Sequence, residues 1–229
     1  MGATNLSATH ETFFGKRSDI RLNLGCGLRA PAGWINIDRS PGLTLARVPG
    51  ARSFLRRAGV LSKEHMVPWP RSIKQFDVTK RLPYPNSSVS AIYSSHTLEH
   101  LYYDQALLLL RECHRTLRPG GMIRLALPDA QVLARRLLSA AGDEAAAAGL
   151  EFTKNLLMGP LSRPTRRERV VTRFSSSSHR WQPTAALVHE MLRQAGFPNP
   201  QPREYLVGAL PGLADVEHRP DSLFVEAIR

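Results

Sequence analysis

The chain has 229 residues and a formal net charge of +12, a length that suits one α/β domain with an insertion better than two independent domains. The charge admits an anionic partner, whether nucleic acid, an anionic lipid surface, or a phosphorylated or carboxylated substrate. No apolar run approaches the ~18 residues that span a bilayer, and residues 1–18 lack the apolar centre of a secretory signal, so no membrane span and a cytoplasmic location are expected. Leu6 stands where a myristoylation pattern needs Ser or Thr. Two cysteines, Cys26 and Cys113, indicate neither a disulfide framework nor a zinc site.

Arg21 to Asp38 reads as a strand (Leu22, Leu24), a Gly25-Cys26-Gly27 turn and a second strand, Trp34 to Ile37, ending in an acid. Missing side chains at Gly25 and Gly27 let backbone N–H groups approach a ligand, and Asp38 can accept hydrogen bonds from a ribose diol. A dinucleotide fingerprint has a third glycine and an acid about 20 residues on. Here Asp38 follows Gly27 by 11, with Arg29, Ala30 and Pro31 where a helix should begin. Pyrophosphate binding, and with it a nicotinamide oxidoreductase, is therefore disfavoured.

A short helix around Leu45 to Ala58 is expected next, limited by Pro49 and Gly50. IKQFDV gives a third strand ending at Asp77, and RLPYPNSS is turn chemistry leading into SAIYSS, a fourth. Thr97 can cap a helix from Leu98 to Leu117, which RPGG ends, and MIRLALPD is a fifth strand. Strands alternating with helices argue for a parallel, doubly wound sheet. Residues 129–178 break that rhythm with an Ala-rich helix pair (Gln131 to Ala141, Asp143 to Leu157), an arginine cluster (Arg163, Arg166, Arg167, Arg169, Arg173) and four serines. The segment reads as an inserted lid, or alternatively as a solubilising decoration. Pro183 to Gln194 is an amphipathic helix stopped by Gly196, and REYLVG with SLFVEAI reads as a closing hairpin.

LNLGCG, WINID, FDV, AIYSSHTLEHL, LRECHRTLRPGG and LALPD, in this order and spacing, resemble the class I S-adenosylmethionine-dependent methyltransferases over nearly the whole chain. The short loop resembles a subgroup, associated with glycan biosynthesis, in which GWINID closely follows LNLGCG. The resemblance implies an α/β, Rossmann-like sheet of seven mostly parallel strands with an antiparallel C-terminal hairpin. It implies a single domain over residues 1–229, with a tail at 1–18, a helical, Arg-rich lid at 129–178, and S-adenosyl-L-methionine as cofactor. Carried over, Gly25, Cys26 and Gly27 pass under the methionine part of that cofactor, with Asn23 of the same block counted beside them. Asp38 binds the ribose, Asp77 and Val78 read the adenine, and Ser95 and His96 lie beside the methyl group.

Methyl transfer needs a base only for some acceptors. His96, Asp129 and His179 are the candidates. Each has a structural alternative: capping or an adenine contact for His96, a helix cap for Asp129, and packing against Trp181 for His179. Glu99 and His100 read as first-turn caps and His114 as a surface residue. No His/Asp/Glu cluster has convincing ligand spacing, so no metal ligand is assigned and a divalent-metal requirement is left open. The expected activity is O-methylation of a hydroxyl on a sugar, glycan or similar polar metabolite, which can be anionic. An RNA methyltransferase is the first alternative, but SSHT is not the Asn/Asp-Pro-Pro-aromatic signature of base methylases, and nucleic acid is not the expected partner. A non-catalytic member that binds the cofactor is the second. A homodimer is left open.

Overall fold

The computed structural model describes residues 19–61, 66–157 and 179–229. Its strands are β1 (Arg21–Leu24), β2 (Ile35–Asp38), β3 (Lys74–Gln75), β4 (Val89–Ser95), β5 (Leu117–Leu127), β6 (Gln201–Arg203) and β7 (Leu223–Ile228). They make one sheet in the order β3-β2-β1-β4-β5-β7-β6. The first five are parallel, while β7 enters antiparallel between β5 and β6. The helices are α1 (Pro41–Arg47), α2 (Ala51–Arg57), α3 (Tyr103–Thr116), α4 (Ala130–Ser139), α5 (Asp143–Leu157), α6 (Ala185–Gln194) and α7 (Leu213–Val216). This is the Rossmann-like mixed sheet with an antiparallel C-terminal pair.

Strand alternation sorts the core into two faces. Leu22, Leu24, Ile92, Ile123, Leu125 and Val225 share one buried cluster with Leu109, Leu110 and Cys113 of α3 and Val188, Met191 and Leu192 of α6. On the opposite face, Ala91, Tyr93, Met122, Ala126 and Phe224 meet Trp34, Leu210, Leu213 and Val216. No helix intervenes between β1 and β2, whose connection is residues 25–34 alone. The segment between β6 and β7, with α7 at its centre, covers that face instead.

At the middle of this second face lies Arg124 of β5, fully buried. Its guanidinium donates to both carboxylate oxygens of Glu217, from Nε and Nη2 at 2.8 Å each, and to the carbonyls of Val207 (2.9 Å) and Glu204 (2.8 Å). Glu226, directly opposite Arg124 in the β5–β7 register, stands 3.4 Å from Nη1. Glu226 also accepts from Arg203 Nε at 3.0 Å and from the N–H groups of Ala209 and Leu210. One strand arginine thus fixes the whole covering segment. The strand was expected from its apolar residues alone, and this network was not foreseen.

Other boundaries differ from expectation. The helix expected over Leu45 to Ala58 is split into α1 and α2, because Gly50 takes a left-handed φ of 74°. Thr97 does not cap a helix by its side chain. Leu98–His100 form an isolated 3-10 turn, and α3 begins only at Tyr103, where the Tyr102 N–H donates to Gln105 Oε1 at 3.2 Å. That helix ends at Thr116, with its C-cap at Leu117 directly before RPGG, and RPGG itself is an irregularity inside β5, across which pairing shifts from Val89–Leu117 to Ala91–Met122. Only Arg203 of REYLVG lies in a strand. His114 is half-buried rather than on the surface, edge-on to Phe197 with ring centroids 5.0 Å apart.

Glu112 and Arg115 of α3 tie the helix to the loop before β4. Arg115 pairs with Glu112 at 2.7 Å and donates to the carbonyls of Leu82 and Tyr84, and the Leu82 N–H donates to Glu112 at 3.0 Å. The Arg115 hydrogen bonds, against an opposing effect of burial, hold the Glu112 carboxyl below its ordinary 4.5. A depressed acid contributes stability that is present above pH 4.5 and lost as pH falls through the lowered value. Urea midpoints of Glu112→Gln should therefore fall less steeply below pH 4.5 than those of the parent. For Arg124→Met, which leaves the buried Glu217 carboxylate without its cation, urea unfolding should read a loss of about 3–5 kcal/mol.

Candidate functional site

The chain leaves β1 at Gly25, whose φ of +68° a side chain rarely adopts, and a Cβ there would run into the Thr97 side chain. Glycine is therefore required by the close approach of the turn after β4. The Gly25 and Cys26 N–H groups both donate to the Ile37 carbonyl, at 2.8 and 3.1 Å. Asp38 completes the clasp: Oδ2 accepts from the Gly27 N–H at 2.8 Å and Oδ1 from the Ser40 N–H at 2.6 Å. The acid at the end of β2 thereby fixes the glycine turn after β1.

Along this clasp runs a groove of about 580 Å³, whose walls include Gly25, Asp38, Ser40, Phe76, Asp77, Val78, His96 and His100. It lies beyond the carboxyl ends of β1, β2 and β4, where open α/β sheets bind ligands. The Ser40 hydroxyl on its wall is buried without a protein partner. Asp77 pairs with Arg39 and accepts from the Thr79 N–H and hydroxyl, at 3.1 and 2.7 Å. Burial pushes the Asp77 carboxyl up, but these hydrogen bonds and the Arg39 and Lys80 cations outweigh it and hold it below the usual range. Carboxylates at Asp38 and Asp77, an orphaned hydroxyl and the apolar strip of Leu45, Phe76, Val78 and Leu101 suit a nucleoside carrying a polar tail.

Of the expected cofactor residues, Gly25, Asp38, Asp77, Val78 and His96 line the groove. The Asn23 side chain is instead buried between strands, donating to Asn36 Oδ1 at 2.9 Å and facing the Arg29 carbonyl at 3.3 Å. The Cys26 side chain packs with Leu43 and Ile73; burial, then the nearby Asp38 charge, pushes its thiol up to about 12, so it stays protonated at neutral pH. Gly27 reaches the site through its N–H to Asp38, and the Ser95 hydroxyl is buried without a partner.

Of the expected bases, Asp129 caps α4, accepting from the Gln131 N–H at 2.8 Å, and lies off the groove wall. His96, at a left-handed φ of 47°, ends β4 on the groove rim. Its Nε2 is 3.0 Å from Ser222 Oγ and its Nδ1 3.4 Å from Glu99 Oε1. His179 is drawn to the same carboxylate, with Nε2 at 3.9 Å from Glu99 Oε1, and its ring is edge-on to His100 at 4.9 Å. Burial, only partly opposed by Glu99, keeps the His179 imidazole below its ordinary value. Trp181, its expected packing partner, donates to the Leu98 carbonyl at 3.2 Å and so holds the same segment against the 3-10 turn. The sequence placed Glu99 and His100 as caps, and the structure instead gathers them with His179. Only the HTLEH spacing hinted at this, because the third member follows Glu99 by 80 residues. The arginine cluster from Arg163 to Arg173, and with it most of the expected lid beyond α4 and α5, lies outside the described residues.

Residues 22–125 match the family described as "Methyltransferase domain". Over that segment the chain carries a methyltransferase domain. No curated protein matches. Among solved structures, a methyltransferase from Mesorhizobium loti is 19% identical, with 95% of this chain and 94% of that one covered and a TM-score of 0.47. One from Archaeoglobus fulgidus is 12% identical, with 93% and 87% covered and a TM-score of 0.46. PigF with SAH is 15% identical, with 92% and 50% covered and a TM-score of 0.44, so this chain spans half of that chain's length. No helix among the described residues is long and apolar enough to cross a membrane.

Asp38→Ala opens the clasp and removes a groove carboxylate together. Titration calorimetry should show S-adenosylmethionine binding ~10–100-fold weaker, about 1.4–2.8 kcal/mol. Asp38→Asn, which keeps one acceptor oxygen, should lose less.

Proposed function

We propose that this chain O-methylates a hydroxyl of a sugar, glycan or similar polar metabolite, as a member of the glycan-associated subgroup working in polysaccharide biosynthesis in the cytoplasm. The observation that carries the reading is the line Glu99–His96–Ser222 at the groove rim. With Nδ1 facing a carboxylate at 3.4 Å, the proton is favoured on Nδ1 and Nε2 is left to accept. A hydroxyl, that of Ser222, already stands 3.0 Å from this nitrogen. An imidazole oriented by an acid and facing a hydroxyl is the arrangement that removes a proton from an alcohol.

When bound, S-adenosylmethionine would supply a methyl group on a positively charged sulfur able to keep the electrons of the C–S bond. On the protein's side, the glycine turn and Asp38 hold the cofactor's place, so that acceptor and methyl meet in line. His96 would take the acceptor hydroxyl's proton at Nε2 and so leave its oxygen ready to accept the methyl group. Glu99, within ion-pair distance of Nδ1, stabilises the imidazolium that results. An amine acceptor would need no such arrangement in its neutral form.

With labelled cofactor and a panel of mono- and oligosaccharides, label should appear as a methyl ether. Appearance only on amines or on RNA overturns the reading, and failure to bind the cofactor would instead favour a non-catalytic member of the fold. His96→Asn, chosen because asparagine tolerates a positive φ, should lower turnover by roughly 10²–10⁴-fold and leave cofactor affinity within about threefold.

A further inference from the structure

Glu99 is completely buried, and neither of its carboxylate oxygens has a hydrogen-bond partner. A bare carboxylate removed from water is costly unless a positive charge compensates it. The groups around it are nitrogens, His96 Nδ1 at 3.4 Å and His179 Nε2 at 3.9 Å from Oε1. One ligand atom each from Glu99, His100 and His179 lie within 4.8 Å of one another, and Nδ1 of His179 is itself buried without a partner. The backbone holds the two sides together: the Arg180 N–H donates to the Glu99 carbonyl at 2.7 Å, clamping the irregular segment that carries His179 onto the 3-10 turn that carries Glu99 and His100.

We propose that Glu99, His100 and His179 form a binding site for a divalent transition cation on the wall of the cofactor groove. One carboxylate oxygen and two imidazole nitrogens suit borderline ions such as Mn²⁺ or Zn²⁺ better than the all-oxygen preference of Mg²⁺ or Ca²⁺. Ligand atoms around a tetrahedral zinc are about 3.3 Å apart, since each bond is about 2.0–2.1 Å, so the observed triad closes on an ion by small imidazole rotations. Three protein ligands leave a coordination position open, as sites that bind substrate do. Because His100 also lines the groove, that position falls beside His96, where the acceptor must sit. Resting on the hydroxyl-methylation reading above, the cation's task is to hold the acceptor oxygen and make its proton easier to remove.

The test is Mn²⁺ titration of chelator-treated full-length protein, followed by loss of the free-ion paramagnetic resonance signal. One ion per chain should bind, and Glu99→Gln and His179→Asn should each weaken binding at least ~10-fold while S-adenosylmethionine still binds, which shows that the variants fold. Absence of stoichiometric Mn²⁺ binding, or binding that neither variant alters, overturns the site. A methylation assay separates this outcome from the acceptor reading. Methyl ether formed at full rate in chelator removes the cation's catalytic task, whereas label on amines with Mn²⁺ binding intact overturns the hydroxyl acceptor and leaves the site standing.

Discussion

The length of one connection governs this molecule. Residues 25–34 must carry the chain from β1 to its parallel neighbour β2, and ten residues are fewer than a helical crossover takes. Without a helix there, one face of β4, β5 and β7 is left bare, and its apolar side chains would meet water. The segment between β6 and β7 folds back to cover it, with Leu210, Leu213 and Val216 packing on Ala91, Tyr93 and Met122, and Trp34 of the short connection itself at the border. A cover with so little regular structure leaves many backbone groups to satisfy. Arg124, Glu217 and Glu226 satisfy several of them from beneath, which explains how a charged residue comes to occupy the centre of a sheet.

The same shortness shapes the site. A helix after the glycine turn would hold the turn by packing. Here Asp38 and the Ile37 carbonyl hold it through its three backbone N–H groups. Thr97 presses on Gly25 from the turn after β4, and His96, next to it, ends that strand. The glycine turn, the acid and the rim histidine therefore stand together on three adjacent strand ends. Rigid strand ends position catalytic groups more closely than free loops do.

How much of this could be read from the residues followed from the range of the interactions. The strands around Leu22 to Leu24 and Ile35 to Asp38, the glycine turn and the acid are local patterns, and they stand where the sequence placed them. The isolated turn at Leu98 and the interrupted helix at Gly50 are also local, but each was decided by competition. At Thr97 the hydroxyl lies near the carbonyls of Leu24 and Ser95 rather than capping, a choice only the folded neighbour β1 presents. Arg124 with Glu217, and Glu99 with His179, are pairs distant in sequence. Each member alone reads as an ordinary strand arginine or helix-start acid, and no periodicity connects them.

The position of β7 has a consequence for how the polypeptide reaches this state. β7 lies inside the sheet, yet it is the last strand made, and Glu217 follows Arg124 by 93 residues. At ~5–20 residues per second on a ribosome, Arg124 waits on the order of 5–20 s before its first counter-charge emerges. During that interval the edge of β5 is unpaired and its second face uncovered, the exposed surface that chaperones recognise. The cofactor groove, built from β1, β2 and β4, is made well before this closure, so the binding half of the molecule is synthesised ahead of the segment that seals its sheet.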